Sequence, residues 1–251
     1  MKRQKSIDIA FCSAILFFIA SAFTLSYISC TMGIMGEENT QVSIEYKLFQ
    51  DVTYLSDWYV VFAVVYSTVK IYLTATRNKP VYFKYFDLSL CAFALITMII
   101  ATIGVFMDIA PPFTSDVMWY RFSVIHYITP IGFLIYLSYY QLNYIYSVKE
   151  IILAGIPNAL IVLTYVIWIS FTFSDSVLRT TNVPFPYEAV APQVVGVQIY
   201  VTLCISAVFG YGIVTSLSAL VNNAILTKFR GPIYGQLYFK RDIFIDEALA
   251  D

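Results

Sequence analysis

The residues best suited to chemistry in this 251-residue chain are a threonine and the only histidine. Thr53 lies in the stretch FQDVTYLSDW, and His126 lies in the stretch RFSVIHYITPIGFLIYL. A hydroxyl becomes a nucleophile when a base within hydrogen-bonding reach takes its proton, and histidine has an unperturbed pKa near neutrality. If the chain catalyses a reaction, the sequence favours Thr53 as the nucleophile and His126 as the base.

Three further polar residues accompany this pair. Thr53, Ser56 and Asp57 are spaced i, i+3 and i+4, so on a helix they share one face. Arg121 precedes His126 by five residues. We expect Ser56, Asp57 and Arg121 to support the site by orienting groups or stabilising charge.

Structural roles remain open for the same residues. The hydroxyls of Thr53 and Ser56 could bond back to carbonyls of their own helix, as hydroxyls in membrane helices often do. Asp57 could form an ion pair with Arg121 near the membrane interface, where such a pair costs less than at the midplane. His126 could be an interfacial residue whose hydrogen bonds are satisfied.

The elements that must position these residues are membrane helices. The chain is 59% hydrophobic and only 12% charged, and its mean hydropathy is +0.74. These values are typical of a polytopic membrane protein. The net charge of −1 gives no indication of a nucleic-acid partner.

Six apolar segments reach the length of about 20 residues that a membrane-spanning helix needs. They predict an all-α fold with helices at 7–33, 52–76, 85–107, 119–144, 150–173 and 194–225. Residues 1–227 are expected to form one six-helix transmembrane domain, and residues 228–251 a cytoplasmic tail. The second and fourth helices run in the same direction, so Thr53, Asp57 and His126 are expected at one depth.

Charge asymmetry predicts the orientation, because Lys and Arg accumulate on the cytoplasmic side of short loops. Three basic residues fall on the side without the termini: Lys47, Arg121 and Arg179. Eleven fall on the other side: Lys2, Arg3, Lys5, Arg77, Lys79, Lys84, Lys149, Lys228, Arg230, Lys240 and Arg241. Both termini are therefore predicted to be cytoplasmic, with the cell membrane as the expected location.

Three more charged residues lie near the predicted inner helix ends, and each is expected to have a structural role. Lys70 lies within the second helix, where its stem can snorkel towards the interface. Asp87 and Glu150 are expected to pair with the nearby Lys84 and Lys149. Pro130 lacks the N–H that would bond to the carbonyl of His126, so the fourth helix is expected to kink there.

No metal or organic cofactor is expected. The four cysteines have no CxxC spacing, which disfavours a zinc site. A haem with two histidine ligands needs a second histidine. A retinal protein needs a lysine on a seventh helix, and the sequence predicts six.

These motifs resemble the androgen-induced protein family and related six-helix prokaryotic membrane proteins. The similarity spans roughly Leu48 to Ile225 and is carried by FQDVTYLSDW in the second helix and IHYITPIGFLIY in the fourth. The run PFPYE, from Pro184 to Glu188, is similar to a Tyr-Pro-Tyr-like run that the family has before the sixth helix.

The resemblance implies an activity. Animal members of that family are threonine hydrolases that cleave fatty acid esters of hydroxy fatty acids with an intramembrane threonine and histidine. Matched by motif, these residues are Thr53 and His126, and the implied partner is a lipid or fatty-acyl ester substrate in the bilayer.

Two other classes of function remain open. A Thr, Asp and His cluster near one membrane face is also suited to binding protons or a cation, as in a small transporter or a ligand-binding membrane protein. A purely structural membrane protein is the third possibility.

Overall fold

A computed structural model describes residues 2–32, 43–77, 81–106, 115–142, 145–172 and 190–229. Within these ranges every regular element is helical, and none is a strand. Six helices are long and apolar enough to span a membrane, and we call them membrane helices 1 to 6. They are Gln4–Met32, Leu55–Thr76, Lys84–Phe106, Asp116–Gln141, Val148–Thr172 and Val197–Lys228. The predicted all-α, six-helix fold is confirmed, and six apolar helices of this length fit an integral membrane protein. The cytoplasmic location of both termini stays a prediction.

The first and last helices run slightly beyond their membrane spans, as Lys2–Met32 and Val197–Phe229. Two short helices, Ile44–Val52 and Pro192–Val195, precede membrane helices 2 and 6. The tail from residue 230 onward and the run PFPYE lie outside the described residues.

All six membrane helices contribute to one hydrophobic core. Tyr59 of membrane helix 2 packs against Phe93 of membrane helix 3, and Phe93 packs edge-on against Tyr211 of membrane helix 6. Phe133 of membrane helix 4 contacts Phe11 and Tyr66 in similar edge-on geometry. Such aromatic pairs add directional contacts to burial.

Membrane helix 2 begins later than the sequence predicts, and Thr53 is not part of it. Helix Ile44–Val52 ends at Thr53, Tyr54 has an extended backbone, and membrane helix 2 starts at Leu55. The amides of Thr53 and Tyr54 bond to the carbonyls of Gln50 and Asp51, which closes the first helix. The predicted shared helical face of Thr53, Ser56 and Asp57 is therefore wrong, because the chain turns between Thr53 and Leu55.

Membrane helix 4 departs from α geometry twice. It contains π-helical segments at Val124–Ile128 and Leu137–Gln141. The first ends two residues before Pro130, and both the amide and the hydroxyl of Thr129 bond to the Val124 carbonyl, the hydroxyl at 2.9 Å. A π segment, a feature often found at functional sites, thus precedes Pro130, and the kink expected there stays a prediction.

Membrane helices 5 and 6 approach closely at a glycine. A Cβ added to Gly155 would lie 2.6 Å from the backbone oxygen of Gly212, whereas a Cβ added to Gly212 would meet its neighbours only at 3.6 Å. Ser216 bonds across the same junction to the Ile151 carbonyl at 2.9 Å. Small residues at a crossing let two membrane helices pack backbone to backbone.

Gly155→Ala is expected to destabilise the protein by about 1–3 kcal/mol, because the added methyl forces the two backbones apart. Gly212→Ala is the matched control, since it makes the same change where the space is ordinary. Thermal unfolding in detergent should show a lower midpoint for Gly155→Ala only. Equal shifts in the two variants would contradict the close contact at Gly155.

Candidate functional site

A buried arginine connects three elements at one end of the bundle. The Nη2 atom of Arg121 lies 2.9 Å from Oδ1 of Asp51 and 3.4 Å from each carboxylate oxygen of Asp57. Its Nη1 atom donates to the Ser26 hydroxyl at 3.2 Å, and the guanidinium lies 4.4 Å from the centre of the Phe23 ring. Arg121 therefore joins membrane helices 1, 2 and 4 to helix Ile44–Val52.

A second cation completes this group. The Nζ atom of Lys47 lies 2.9 Å from Oδ1 of Asp51, and both side chains are nearly inaccessible to solvent. We call Ser26, Lys47, Asp51, Asp57 and Arg121 the Arg121 cluster. Its two carboxylates and two basic groups balance, which is how buried charges are tolerated.

Thr53 is fully buried beside this cluster. Its hydroxyl donates to the Gln50 carbonyl at 2.6 Å, and its own carbonyl accepts from the Tyr165 hydroxyl at 2.7 Å. The indole of Trp58 donates to the Val52 carbonyl at 3.0 Å. Side chains from membrane helices 2 and 5 thus fix the backbone around Thr53 on both sides.

His126 lies inside the first π segment and is half-buried. Its Nδ1 atom is 3.1 Å from the Phe122 carbonyl, and its ring centre is 4.4 Å from that of Phe122. Because a carbonyl can only accept, Nδ1 must carry the hydrogen. The lone pair of a neutral imidazole is then on Nε2, which is the atom able to act as a base.

The predicted site residues are thus only partly brought together. Arg121 binds Asp57, as the structural interpretation of those two residues expects. Ser56 is half-buried in the first turn of membrane helix 2. Thr53 and His126 each bond to a carbonyl of their own segment, and within the described residues no hydrogen bond joins them.

No protein family model, curated protein or solved structure matches this chain. The resemblance to the androgen-induced protein family therefore stays a prediction, and function has to be inferred from the side chains themselves. Within the described ranges, no three His, Cys, Asp or Glu side chains are grouped so that they could hold a metal ion.

Sequence reasoning missed three members of the Arg121 cluster: Ser26, Lys47 and Asp51. The i, i+4 spacing of Lys47 and Asp51 is typical of an ion pair on a helix and could have revealed those two. The sequence did not show that a short helix before membrane helix 2 would place them against Arg121.

A second buried polar group corrects two further expectations. Lys70 does not snorkel: it is fully buried and donates to the Gln141 side chain at 2.7 Å. Asp87 does not pair with Lys84, because it accepts from the Tyr66 hydroxyl at 2.6 Å. Glu150, outside this group, does pair with one of the nearby lysines, Lys84, as expected.

Arg121→Met is expected to cost about 3–5 kcal/mol of stability, because it leaves Asp57 buried without a cation. Lys84→Met removes a cation from the Lys84–Glu150 pair, whose side chains are 31% and 26% exposed. That loss should be at most about 1 kcal/mol, since water replaces the partner. The measurement is thermal unfolding of the purified protein in detergent.

The double variant Arg121→Met/Asp57→Asn tests the electrostatic cause. Replacing the Asp57 carboxylate, which Arg121→Met leaves without a cation, by an amide should recover part of the lost stability, because the uncompensated charge is gone. A double variant less stable than Arg121→Met would show that the loss comes from packing instead.

Proposed function

We propose that this integral membrane protein is an intramembrane lipid-ester hydrolase with Thr53 as nucleophile and His126 as base. The observation that carries the proposal is that both residues flank the Arg121 cluster at places where the backbone leaves α-helical geometry. Thr53 lies in the turn between Asp51 and Asp57, and His126 lies in a π segment five residues after Arg121. Irregular backbone of this kind frequently marks functional sites in helices.

The hydrogen bonds of the two residues are compatible with these roles. The bond from Nδ1 of His126 to the Phe122 carbonyl leaves Nε2 as the proton acceptor. Among the described residues, the hydrogen bond that holds the Thr53 hydroxyl is the one that it donates to the Gln50 carbonyl, and rotation about χ1 releases it from that carbonyl. Catalytic hydrogen bonds often form only once substrate is bound.

The proposed reaction proceeds through an acyl-enzyme. The Thr53 oxygen attacks the ester carbonyl while its proton passes to Nε2 of His126, and collapse of the tetrahedral intermediate releases the alcohol, which takes that proton. Water then attacks the acyl-threonine with His126 again as the base, and the fatty acid leaves. Arg121 and Asp57 act as positioning residues that hold the two segments together.

An apolar groove on the described part of the bundle could hold the acyl chain of a lipid substrate. An apolar groove of about 420 Å³ lies between membrane helices 5 and 6, with Val166, Ser170, Tyr200 and Cys204 among its lining residues. Thr53 and His126 do not line this groove, and its connection to Thr53 is that Val166 directly follows Tyr165, whose hydroxyl binds the Thr53 carbonyl. Ligand sites commonly have volumes of about 300–1,000 Å³ with mainly apolar walls, so the groove could take an acyl chain.

The test is hydrolysis of a panel of fluorogenic acyl esters and branched fatty acid esters by purified protein in detergent. Thr53→Val should lower kcat/KM by at least about 100-fold, because it removes the hydroxyl while keeping the side-chain shape. Thr53→Ser should retain activity, and His126→Gln should lose it through loss of the base.

Thr164→Val is the matched control. Its hydroxyl also donates to a backbone carbonyl, that of Leu160 at 2.8 Å, but it is exposed on membrane helix 5. Wild-type turnover in Thr53→Val would exclude Thr53 as nucleophile. If wild-type protein cleaves no ester of the panel, the hydrolase proposal fails.

A small transporter or ligand-binding protein is the second candidate. The observation that favours it is the buried group around Lys70, because ionisable residues inside membrane spans commonly bind protons, ions or substrates. The hydrolase proposal makes no use of that group.

A further inference from the structure

The second buried polar group lies at the opposite ends of membrane helices 1, 2 and 4 from the Arg121 cluster. We call its members the Lys70 network: Asp8, Tyr66, Lys70, Asp87, Tyr136 and Gln141. All six side chains are buried, and they come from membrane helices 1, 2, 3 and 4. Their positions near helix ends place the network at one membrane face, next to the residues that connect membrane helices 2 and 3.

Lys70 is surrounded by acceptors rather than by water. Its ammonium donates to the Val81 carbonyl and to Oε1 of Gln141, the latter at 2.7 Å. It also lies 5.4 Å from the ring centres of Tyr82 and Phe83, within the range of a cation–π contact. Among the described carboxylates, Oδ2 of Asp8 lies 4.0 Å from the ammonium and forms its ion pair.

Asp8 has one satisfied oxygen and one that is not. Its Oδ1 atom accepts from the Tyr136 hydroxyl at 2.8 Å, from Gln141 at 3.0 Å and from Gln4 at 2.8 Å. Its Oδ2 atom is buried, and within the described residues it has no hydrogen-bond partner. Asp8 is 1% exposed, so the structure holds a nearly inaccessible carboxylate oxygen that lacks a donor.

Asp87 is the second carboxylate of the network. Its Oδ1 atom accepts from the Tyr66 hydroxyl at 2.6 Å, and its Oδ2 atom accepts from the Phe83 amide at 2.9 Å. It lies within electrostatic range of both Lys70 and Asp8. The two acids and the one ammonium therefore act on one another.

The charges of this network do not balance. Among the described side chains, the buried titratable groups that face it are Asp8 and Cys12 from membrane helix 1, Tyr66 and Lys70 from membrane helix 2, Asp87 and Cys91 from membrane helix 3, and Tyr136 from membrane helix 4, with Tyr82 beside them. Two more lysines lie within a turn of the acids, but Lys5 binds the Arg77 carbonyl and Lys84 pairs with Glu150. Two carboxylates and one ammonium leave one negative charge. The Arg121 cluster, by contrast, matches two carboxylates with two basic groups.

A buried uncompensated charge is costly in a low-dielectric interior, and such groups usually become neutral instead. We propose that the Lys70 network is a binding site for one exchangeable proton, which neutralises the two carboxylates and the single ammonium. Oδ2 of Asp8, which accepts no hydrogen bond from the described residues, is an oxygen of the network at which a proton can bind. This assignment does not depend on Thr53 or on ester hydrolysis.

The proton can exchange with water through the helix end. Gln4, which binds Asp8, is half-buried and lies one turn closer to the end of the helix, and Ser6 is exposed. At a rise of about 1.5 Å per residue, the polar ends of Lys5 and Gln4 lie within roughly one turn of Asp8. Gln141 ends the second π segment, so the acceptor of Lys70 sits on backbone that already departs from α geometry.

The direct test is infrared spectroscopy of the purified protein at neutral pH in H2O and D2O. A protonated carboxylic acid has a carbonyl absorption that carboxylates lack and that shifts on deuteration. The wild type should show this band, and Asp8→Asn and Asp87→Asn should each lose at least half of its intensity, since either change removes the excess charge. Asp116→Asn, at an exposed aspartate, should leave the band unchanged.

Lys70→Met gives the opposite expectation. Removal of the ammonium leaves two carboxylates that both need protons, so the band should grow to about twice its wild-type intensity. The proposal is overturned if wild-type protein shows no carboxylic acid band, or if Asp8→Asn and Asp87→Asn both leave the band at full intensity.

Thermal unfolding against pH separates a proton from a metal cation. A site that holds a proton in the folded state loses that stabilisation as pH rises, so the wild-type midpoint should fall on the alkaline side and Asp8→Asn should flatten this dependence. Replacing Na⁺ by choline should have no effect. A midpoint that follows Na⁺ instead of pH would overturn the proton assignment.

Discussion

The ion pairs of Arg121 are the interaction on which one end of the molecule depends. A guanidinium has five donors in a planar fork, which lets one buried side chain serve two carboxylates and a hydroxyl at once. Here these partners come from membrane helices 1 and 2 and from the short helix between them. Hydrophobic packing cannot specify such an arrangement in a membrane, because lipid tails are as apolar as the helices. Directional polar contacts fix which helices meet and at what height.

The Arg121 cluster and the Lys70 network lie at opposite ends of the helix bundle and differ in their charge balance. The apolar core around Tyr59, Phe93 and Phe133 separates them, so each operates in its own environment. The Arg121 cluster is balanced and ties irregular backbone to the bundle, which suits it to holding Thr53 and His126 in place. The Lys70 network is unbalanced, which suits it to exchange. A cluster whose charges compensate one another stabilises a single protonation state. A cluster with an uncompensated charge can bind or release a proton when the pH changes.

Much of the fold could be predicted from the sequence because it follows from a simple constraint. A membrane span needs about 20 apolar residues, and six such stretches stand out from their polar connections. The turn at Thr53 could not be predicted in this way, since FQDVTYLSDW has an uninterrupted helical pattern and no Gly or Pro to mark a break. Nor could the burial of Lys70, because the interfacial snorkelling of a lysine and its burial on Val81 and Gln141 have the same sequence appearance. Such differences depend on which helices become neighbours.

The second π segment gives membrane helix 4 a property that its length alone would not suggest. Gln141 donates to the hydroxyl of Tyr136, five residues earlier, across a segment in which the Leu142 amide bonds to the Leu137 carbonyl at 2.7 Å. In a regular α-helix, residues five apart point about 140° away from each other, so this contact exists only because the segment is wound more widely. The wider winding thus accommodates one extra residue in this part of the helix. Loss of a single residue there would return the segment to α geometry, and the residues beyond it would keep their direction while the helix stayed continuous.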